Sequence, residues 1–302
     1  MKSNFFKIFL IISFLSFPLF SQSLEPRLYS NIPKDLNFLV LGYVKSLGGL
    51  ELNTQLDLDN VKMDVDGAVL AYARGLDFFG KSAKIDVVIP YIFIKGDAIY
   101  NGSHIDKDIG GLGDIKSRFS VNLYGAPSLS LKDFMSYKQD FIIGTSIQLT
   151  FPTGQYDSSK LINIGRNMWA AKFGLGASKR FDQLIVELAV DGEFYSKNSS
   201  YFNGNSYEQD PVYSFQSHLI YTLKGGVWIG ADANYYIGGM SKINGISKDN
   251  SLENSRFGAV VAFPISRYDS IKITASRGIS TRVGTDFSTL GLFYQHRWGA
   301  GL

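Results

Sequence analysis

Ile115-Lys116-Ser117-Arg118-Phe119-Ser120-Val121-Asn122-Leu123-Tyr124 alternates without a break. In a strand, successive side chains point to opposite faces. Ile115, Ser117, Phe119, Val121 and Leu123 therefore share one face, and Lys116, Arg118, Ser120, Asn122 and Tyr124 share the other. Such a strand separates an apolar medium from a polar one.

The pattern repeats along the chain. Phe141, Ile143, Thr145, Ile147, Leu149 and Phe151 oppose Gly144, Ser146, Gln148 and Thr150, and the same rhythm runs through 169–178, 184–194, 212–221 and 227–237. Weaker examples at 36–45, 65–75, 83–95, 255–264, 269–278 and 286–298 bring the set to 12 candidate strands. A tilted strand needs roughly 9–11 residues to cross a bilayer, whereas strands of soluble proteins centre on about five or six. The connections alternate in length. Those at 46–64, 96–112, 153–166, 196–208 and 238–254 are long, and those at 76–82, 180–182, 223–224 and 265–268 are shorter. Long outer loops and short periplasmic turns are the signature of outer-membrane barrels. Two connections fit poorly: 125–138 is long for a turn, with Ser130–Tyr137 expected to form a small helix, and 279–285 is short for an outer loop. The fold class expected is all-β, a transmembrane antiparallel β-barrel of about 12 strands, with 10 or 14 left open. A soluble sandwich is the alternative, but it explains neither the strand length nor the alternating loops. Aromatic residues cluster toward strand ends, as in the interfacial girdles of barrels.

The first residues carry a different signal. Lys2 and Lys7 precede an apolar run from Ile8 to Phe20, and Ser21-Gln22-Ser23 is a small-x-small cleavage site. Residues 1–23 therefore read as a secretory signal peptide and 24–302 as the outer-membrane barrel domain. Beyond residue 23 no apolar run is long enough for a helical span, so a membrane form must be a closed barrel. With no cysteine in the sequence, there is neither a disulfide framework nor a lipid-anchoring thiol. Without the two signal lysines, 28 basic face 27 acidic residues, a balance that gives no support for nucleic-acid binding.

Parity then assigns the charged residues to the interior, because Arg or Lys on the lipid face costs about 2–4 kcal/mol at the midplane. The expected lumen-lining residues are Lys84, Asp86, Asp114, Lys116, Arg118, Asn122, Lys172, Glu187, Asp191 and Glu193, followed by His218, Asp232, Arg256, Lys272 and Arg297; Gln148, Gln216 and Asn234 share their faces. Two roles compete. The basic face at Lys116 and Arg118 opposite the acidic face at Glu187, Asp191 and Glu193 suits a selective channel. The same charges could instead pair and fill a narrow barrel.

Chemistry beyond transport finds little support. None of His104, His218 and His296 has a neighbour that marks a nucleophile, so no catalytic residue is expected. Gly110-Gly111-Leu112-Gly113 precedes a strand, which fails the dinucleotide fingerprint. No Cys/His cluster suggests zinc, and Asp57, Asp59, Asp64 and Asp66 lack the remaining elements of a calcium loop. No cofactor or metal is expected, and the partners expected are outer-membrane lipid and a small-molecule solute, for a monomer.

Several stretches carry a family resemblance. They include Leu24-Glu25-Pro26-Arg27-Leu28-Tyr29-Ser30-Asn31, Ala71-Tyr72-Ala73-Arg74, Ser82-Ala83-Lys84-Ile85-Asp86-Val87-Val88-Ile89-Pro90-Tyr91, Gly111-Leu112-Gly113-Asp114, Val121-Asn122-Leu123-Tyr124-Gly125-Ala126-Pro127, Pro152-Thr153-Gly154-Gln155-Tyr156 and Glu208-Gln209-Asp210-Pro211. Together they resemble the "putative MetA-pathway of phenol degradation" family. The resemblance implies an outer-membrane barrel linked with uptake of aromatic compounds and carries over no catalytic residue. The expectation is a passive channel for small, aromatic or hydrophobic molecules, the alternative a closed structural or ligand-binding barrel.

Overall fold

The computed structural model describes residues 24–51, 58–100, 103–160, 162–282 and 284–302. The expected signal peptide, and the acids Asp57 and Asp59, fall outside what it describes at side-chain level.

The barrel strands are β1 Leu36–Glu51, β2 Leu58–Phe78, β3 Lys81–Tyr100, β4 in two pieces (Ser103–Leu112 and Lys116–Tyr124), β5 Phe141–Thr150, β6 Ala170–Phe181, β7 Leu184–Tyr195, β8 Val212–Thr222, β9 Trp228–Gly238, β10 Leu252–Pro264, β11 Asp269–Ser280 and β12 Gly284–Gly299, and short strands at Asn198–Tyr201, Asn205–Gln209, Ser241–Ile243 and Ile246–Ser247 form a separate sheet in the loops. Each barrel strand pairs antiparallel with the next, and β12 pairs with β1 from Leu36↔Gly299 to Glu51↔Gly284. The result is a closed barrel of 12 strands. Closure removes every free edge at bilayer depth, as lipid demands.

Two expected loops are corrected. Within 46–64, β1 continues to Glu51 and β2 has already begun at Leu58; within 96–112, β3 runs to Tyr100 and the first piece of β4 starts at Ser103. The ladder continues where apolar alternation stops because water above the bilayer accepts any outward side chain. β2 and β3 reach 21 and 20 residues, whereas β5 has 10. At about 3.3 Å per residue, the β1–β4 wall stands well above the rest. The 125–138 connection contains a single helical turn, α1 (Leu131–Phe134), whose N-cap Ser130 accepts from the Asp133 amide.

Outward side chains form the apolar belt predicted by parity, with Leu41, Leu175, Leu188, Leu219, Ile229 and Leu292 all exposed. Aromatic rings mark both margins. Phe151–Trp169 and Phe173–Phe194 meet toward the loop side at centroid distances of 5.2 and 6.0 Å, and Tyr72–Trp298 meet at 6.1 Å toward the termini. A closed barrel with such a belt belongs in the outer membrane.

The interior is divided. On β1, β2 and β3 the inward residues include Phe38, Val40, Val69, Ala71 and Val88, an apolar wall that continues through Ile32, Leu131 and Phe134 at the periplasmic end. On β4 to β9 the inward residues are largely polar, and they carry the buried charges and amides Arg118, Asn122, Gln148, Glu187, Asp191, Gln216, His218, Asp232 and Asn234. The lumen is thus amphipathic in cross-section.

Candidate functional site

Residues 24–35 precede β1 and enter the barrel from the periplasmic end. Asp35 donates its amide to the Gly75 carbonyl at 2.9 Å, and Lys34 its amide to Leu129 at 2.9 Å. The segment then leaves the apolar wall, with Ile32 against Ser82, and crosses toward the charged one. Glu25, Arg27, Tyr29 and Asn31 are all buried.

Tyr29 shows how the wall is shaped to receive this peptide. A Cβ on Gly144 or Gly176 would stand 2.3 Å from its ring, so only glycine leaves room there. Its hydroxyl lies 3.2 Å from Ser146 Oγ. Arg27 lies with its guanidinium 5.2 Å from the Trp228 ring, and its backbone N–H donates to Glu187 Oε2 at 2.6 Å. Glu25 is the far anchor. Its carboxylate accepts from Arg118 Nη1 at 2.5 Å and Lys172 Nζ at 2.9 Å, and its own amide donates to Gln216 Oε1 at 3.1 Å.

Most expected lumen residues meet in this network or beside it. Asp86 completes the pairing of Arg118 at 3.2 Å. Asp191 accepts from Gln216 Nε2 at 3.0 Å and Ser214 Oγ at 3.1 Å. His218 Nδ1 and Asp232 Oδ1 lie 2.6 Å apart. Lys84 and Asn122 are buried on the same side. Others stand apart. Arg256 donates to Ser276 Oγ at 3.0 Å, and Lys272 Nζ lies 4.9 Å from the Phe293 ring. Arg297 sits at the periplasmic rim, donating to the Arg267 carbonyl at 3.0 and 2.6 Å. The peptide that links these side chains carries no period-two signal.

Asp114, Lys116 and Glu193 belong to a different place. β4 breaks at 113–115, and there the Asp114 carboxylate accepts the Gly154 and Arg166 amides, both at 2.9 Å. These bonds pin the 151–169 loop inward. Beneath it lies a cavity of about 330 Å³. One side is aliphatic and aromatic, with Val65, Ile92, Ile164, Met168 and Phe287; the other presents Lys116, Arg166, Glu193 and Tyr195. Arg166 lies 4.8 Å from the Tyr195 ring and donates to Gln209, and Tyr195 Oη donates to Glu193 at 2.9 Å. Arg166 and Tyr195 were not among the residues expected at the site, since one is a loop residue and the other ends a strand. Among the described residues no group of three or more His, Cys, Asp or Glu could hold a metal.

Chemically, the barrel holds a small apolar chamber with a polar side on its outer half and a peptide tethered by charges below it. Comparison with known proteins bears on this arrangement. A family model described as "Putative MetA-pathway of phenol degradation" matches residues 53–295. Among solved structures, the COG4313 outer membrane channel from Pseudomonas putida F1 superposes with a TM-score of 0.77 at 19% identity, covering 91% of this chain and 100% of that one. The transport unit of the autotransporter AIDA-I from Escherichia coli follows at 0.53 and 9%, covering 96% and 95%. The β domain of the Bordetella autotransporter BrkA gives 0.52 and 12%, covering 87% and 100%. At these identities the likeness concerns the barrel fold. No curated protein matches the sequence.

Proposed function

Because the chain belongs to the MetA-pathway of phenol degradation family, we propose that it is a passive outer-membrane channel for small, aromatic or otherwise hydrophobic molecules. On this reading it is exported by residues 1–23, works as a monomer and performs no chemistry on its solute. The observation that carries the proposal is the chamber of about 330 Å³, largely apolar in its lining, set in a lumen otherwise rich in charge. Small-molecule sites are concave and mostly apolar, with a few placed polar groups. A buried apolar cavity of about 150 Å³ already admits benzene, so this chamber has room for one substituted ring. A solute resting there has its apolar part against Val65, Ile92 and Phe287, and a hydroxyl or carboxylate within reach of Lys116, Arg166 or Tyr195. Passage onward requires the 24–34 peptide to leave its track between the apolar and charged walls.

The test is single-channel conductance of the purified protein in planar bilayers, with small aromatic acids, phenols and sugars as blockers. Conductance steps blocked by aromatic solutes and not by sugars support the channel. A folded, heat-modifiable barrel that stays silent even when Glu25 is replaced sinks it. That outcome favours the second reading, a closed ligand-binding barrel, for which the Glu25–Arg118–Lys172 tether is the supporting observation.

A further inference from the structure

The outer surface carries a feature that the lumen does not explain. Strand register sets two adjacent outward rows across β1, β12, β11 and β10. In the lower row, Lys45 pairs with Leu290, Leu290 with Ala275, and Ala275 with Ala259. In the upper row, Leu47 pairs with Ser288, Ser288 with Arg277, and Arg277 with Phe257. Where neighbouring strands carry Leu, Tyr or Phe, these rows have Ala259, Ala275 and Ser288, and the surface sinks into a groove of about 540 Å³ walled by Leu47, Phe257 and Leu290.

The height of the groove follows from the chain. From Trp298 at the periplasmic girdle to Ser288, β12 climbs about 25 Å at ~3.3 Å per residue and a tilt of ~40°. That is the full thickness of the apolar belt, so Arg277 lies at the outer headgroup level. Arg277 is exposed, and among the described residues its side chain has no hydrogen-bond or ion-pair partner. Lys45, one row below, is exposed and shares Asp66 at 3.6 Å. A cation on the lipid face is costly at mid-membrane and tolerated only near an interface, where basic side chains attract anionic headgroups.

We propose that this groove binds one phosphorylated, acylated lipid of the outer leaflet. An acyl chain fills the alanine-lined depression, and a headgroup phosphate sits on Arg277 with Lys45 beside it. The geometry commits to a lipid because the groove opens onto the bilayer, where only a membrane component reaches it. The inference is independent of what passes through the lumen.

The experiment is native mass spectrometry of the detergent-solubilised full chain, titrated with hexa-acyl diphosphoryl lipid A and, separately, with the same lipid stripped of its phosphates. The wild-type barrel is expected to retain one phosphorylated lipid at least tenfold more tightly than the dephosphorylated one. Arg277→Gln should erase that difference. Ala275→Trp, which fills the groove, should weaken both lipids. Arg282→Gln, in a loop where Arg282 pairs with Asp249 at 2.5 Å, should change nothing. Heat-modifiable migration confirms that each variant has folded. Equal retention of both lipids by the wild type, unchanged binding in Arg277→Gln and Ala275→Trp, or an equal loss in Arg282→Gln would each overturn the proposal.

Discussion

Replacing Glu25 by Gln removes one negative charge and keeps the shape of the side chain. Two charge-assisted contacts depend on that charge, at 2.5 Å to Arg118 and 2.9 Å to Lys172. Removing one member of a buried ion pair costs roughly 3–5 kcal/mol. The lower end applies here because Arg118 keeps Asp86 at 3.2 Å. What remains to hold the peptide includes the charge-assisted bond from the Arg27 amide to Glu187 and neutral hydrogen bonds at Glu25 N, Tyr29, Asn31 and Ile32, the neutral ones each worth about 1 kcal/mol net. A loss of about 3 kcal/mol raises the unseated population roughly a hundredfold, at tenfold per 1.4 kcal/mol. The sequence has no cysteine, so a Leu28→Cys background reports on this directly. Leu28 is buried beneath the peptide's own track, and a hydrophilic maleimide reaches it only when the segment lifts. Glu25→Gln should speed labelling by about two orders of magnitude and raise the frequency of conducting events. Labelling at the parental rate with unchanged conductance would refute the view that the Glu25 charge is the tether.

Three further outcomes follow from the same geometry. Gly176→Ala drives a Cβ to 2.3 Å from the Tyr29 ring; overpacking of this kind costs about 1–3 kcal/mol, so labelling in the Leu28→Cys background should accelerate while barrel melting barely moves. Asp114→Asn keeps one acceptor and turns an N–H₂ toward one of two amide donors, so hydrogen exchange at Gly154 and Arg166 should quicken selectively, as read by mass spectrometry of the 151–169 region. In that loop, hydrogen bonds from the Ser159 hydroxyl and amide, then from Lys160, hold the Asp157 carboxyl down to about 2. A depressed carboxyl stabilises the loop above its unfolded value near 4 and loses that contribution as pH falls toward 2, so loop protection, taken relative to the intrinsic exchange rate at each pH, should be constant from neutrality to about pH 4 and fall below it, with Asp157→Asn constant throughout.

The sequence discloses the barrel because lipid enforces its pattern. β4, β5 and β7 each set an apolar face against a polar lumen, and Phe119, Ile147 and Leu188 repeat where Arg118, Gln148 and Glu187 alternate. β1 and β2 are less regular for a physical reason: Phe38, Val40, Val69 and Ala71 face inward onto an apolar wall, so both faces are apolar and the period blurs. The upper ends of β2 and β3, residues 58–64 and 96–100, fall within expected loops because alternation is not required outside the bilayer. Facing alone cannot give distance, so the meeting of Arg118 and Lys172 around one carboxylate, with Asp86 also held by Arg118, was not legible. Nor was the carboxylate itself. Glu25 stands in a segment without period, identified only by its place in the family pattern, and its role arises from contacts 93 and 147 residues away in the chain.

The peptide that fills the lumen immediately precedes β1, and β1 is the strand that meets β12 at the seam. That adjacency sets the order in which the molecule can be assembled. The seam joins residues at opposite ends of the chain, Leu36 to Gly299, the kind of distant pairing that forms late and slowly. Until it forms, the sheet is an open trough into which residues 24–34 can be laid; afterwards the same residues would have to be threaded past the constricted periplasmic end, beneath Leu131 and Phe134. Seating the peptide and zipping the seam are therefore steps of a single closure, with the cations of Arg118 and Lys172 waiting in the half-built wall to receive Glu25.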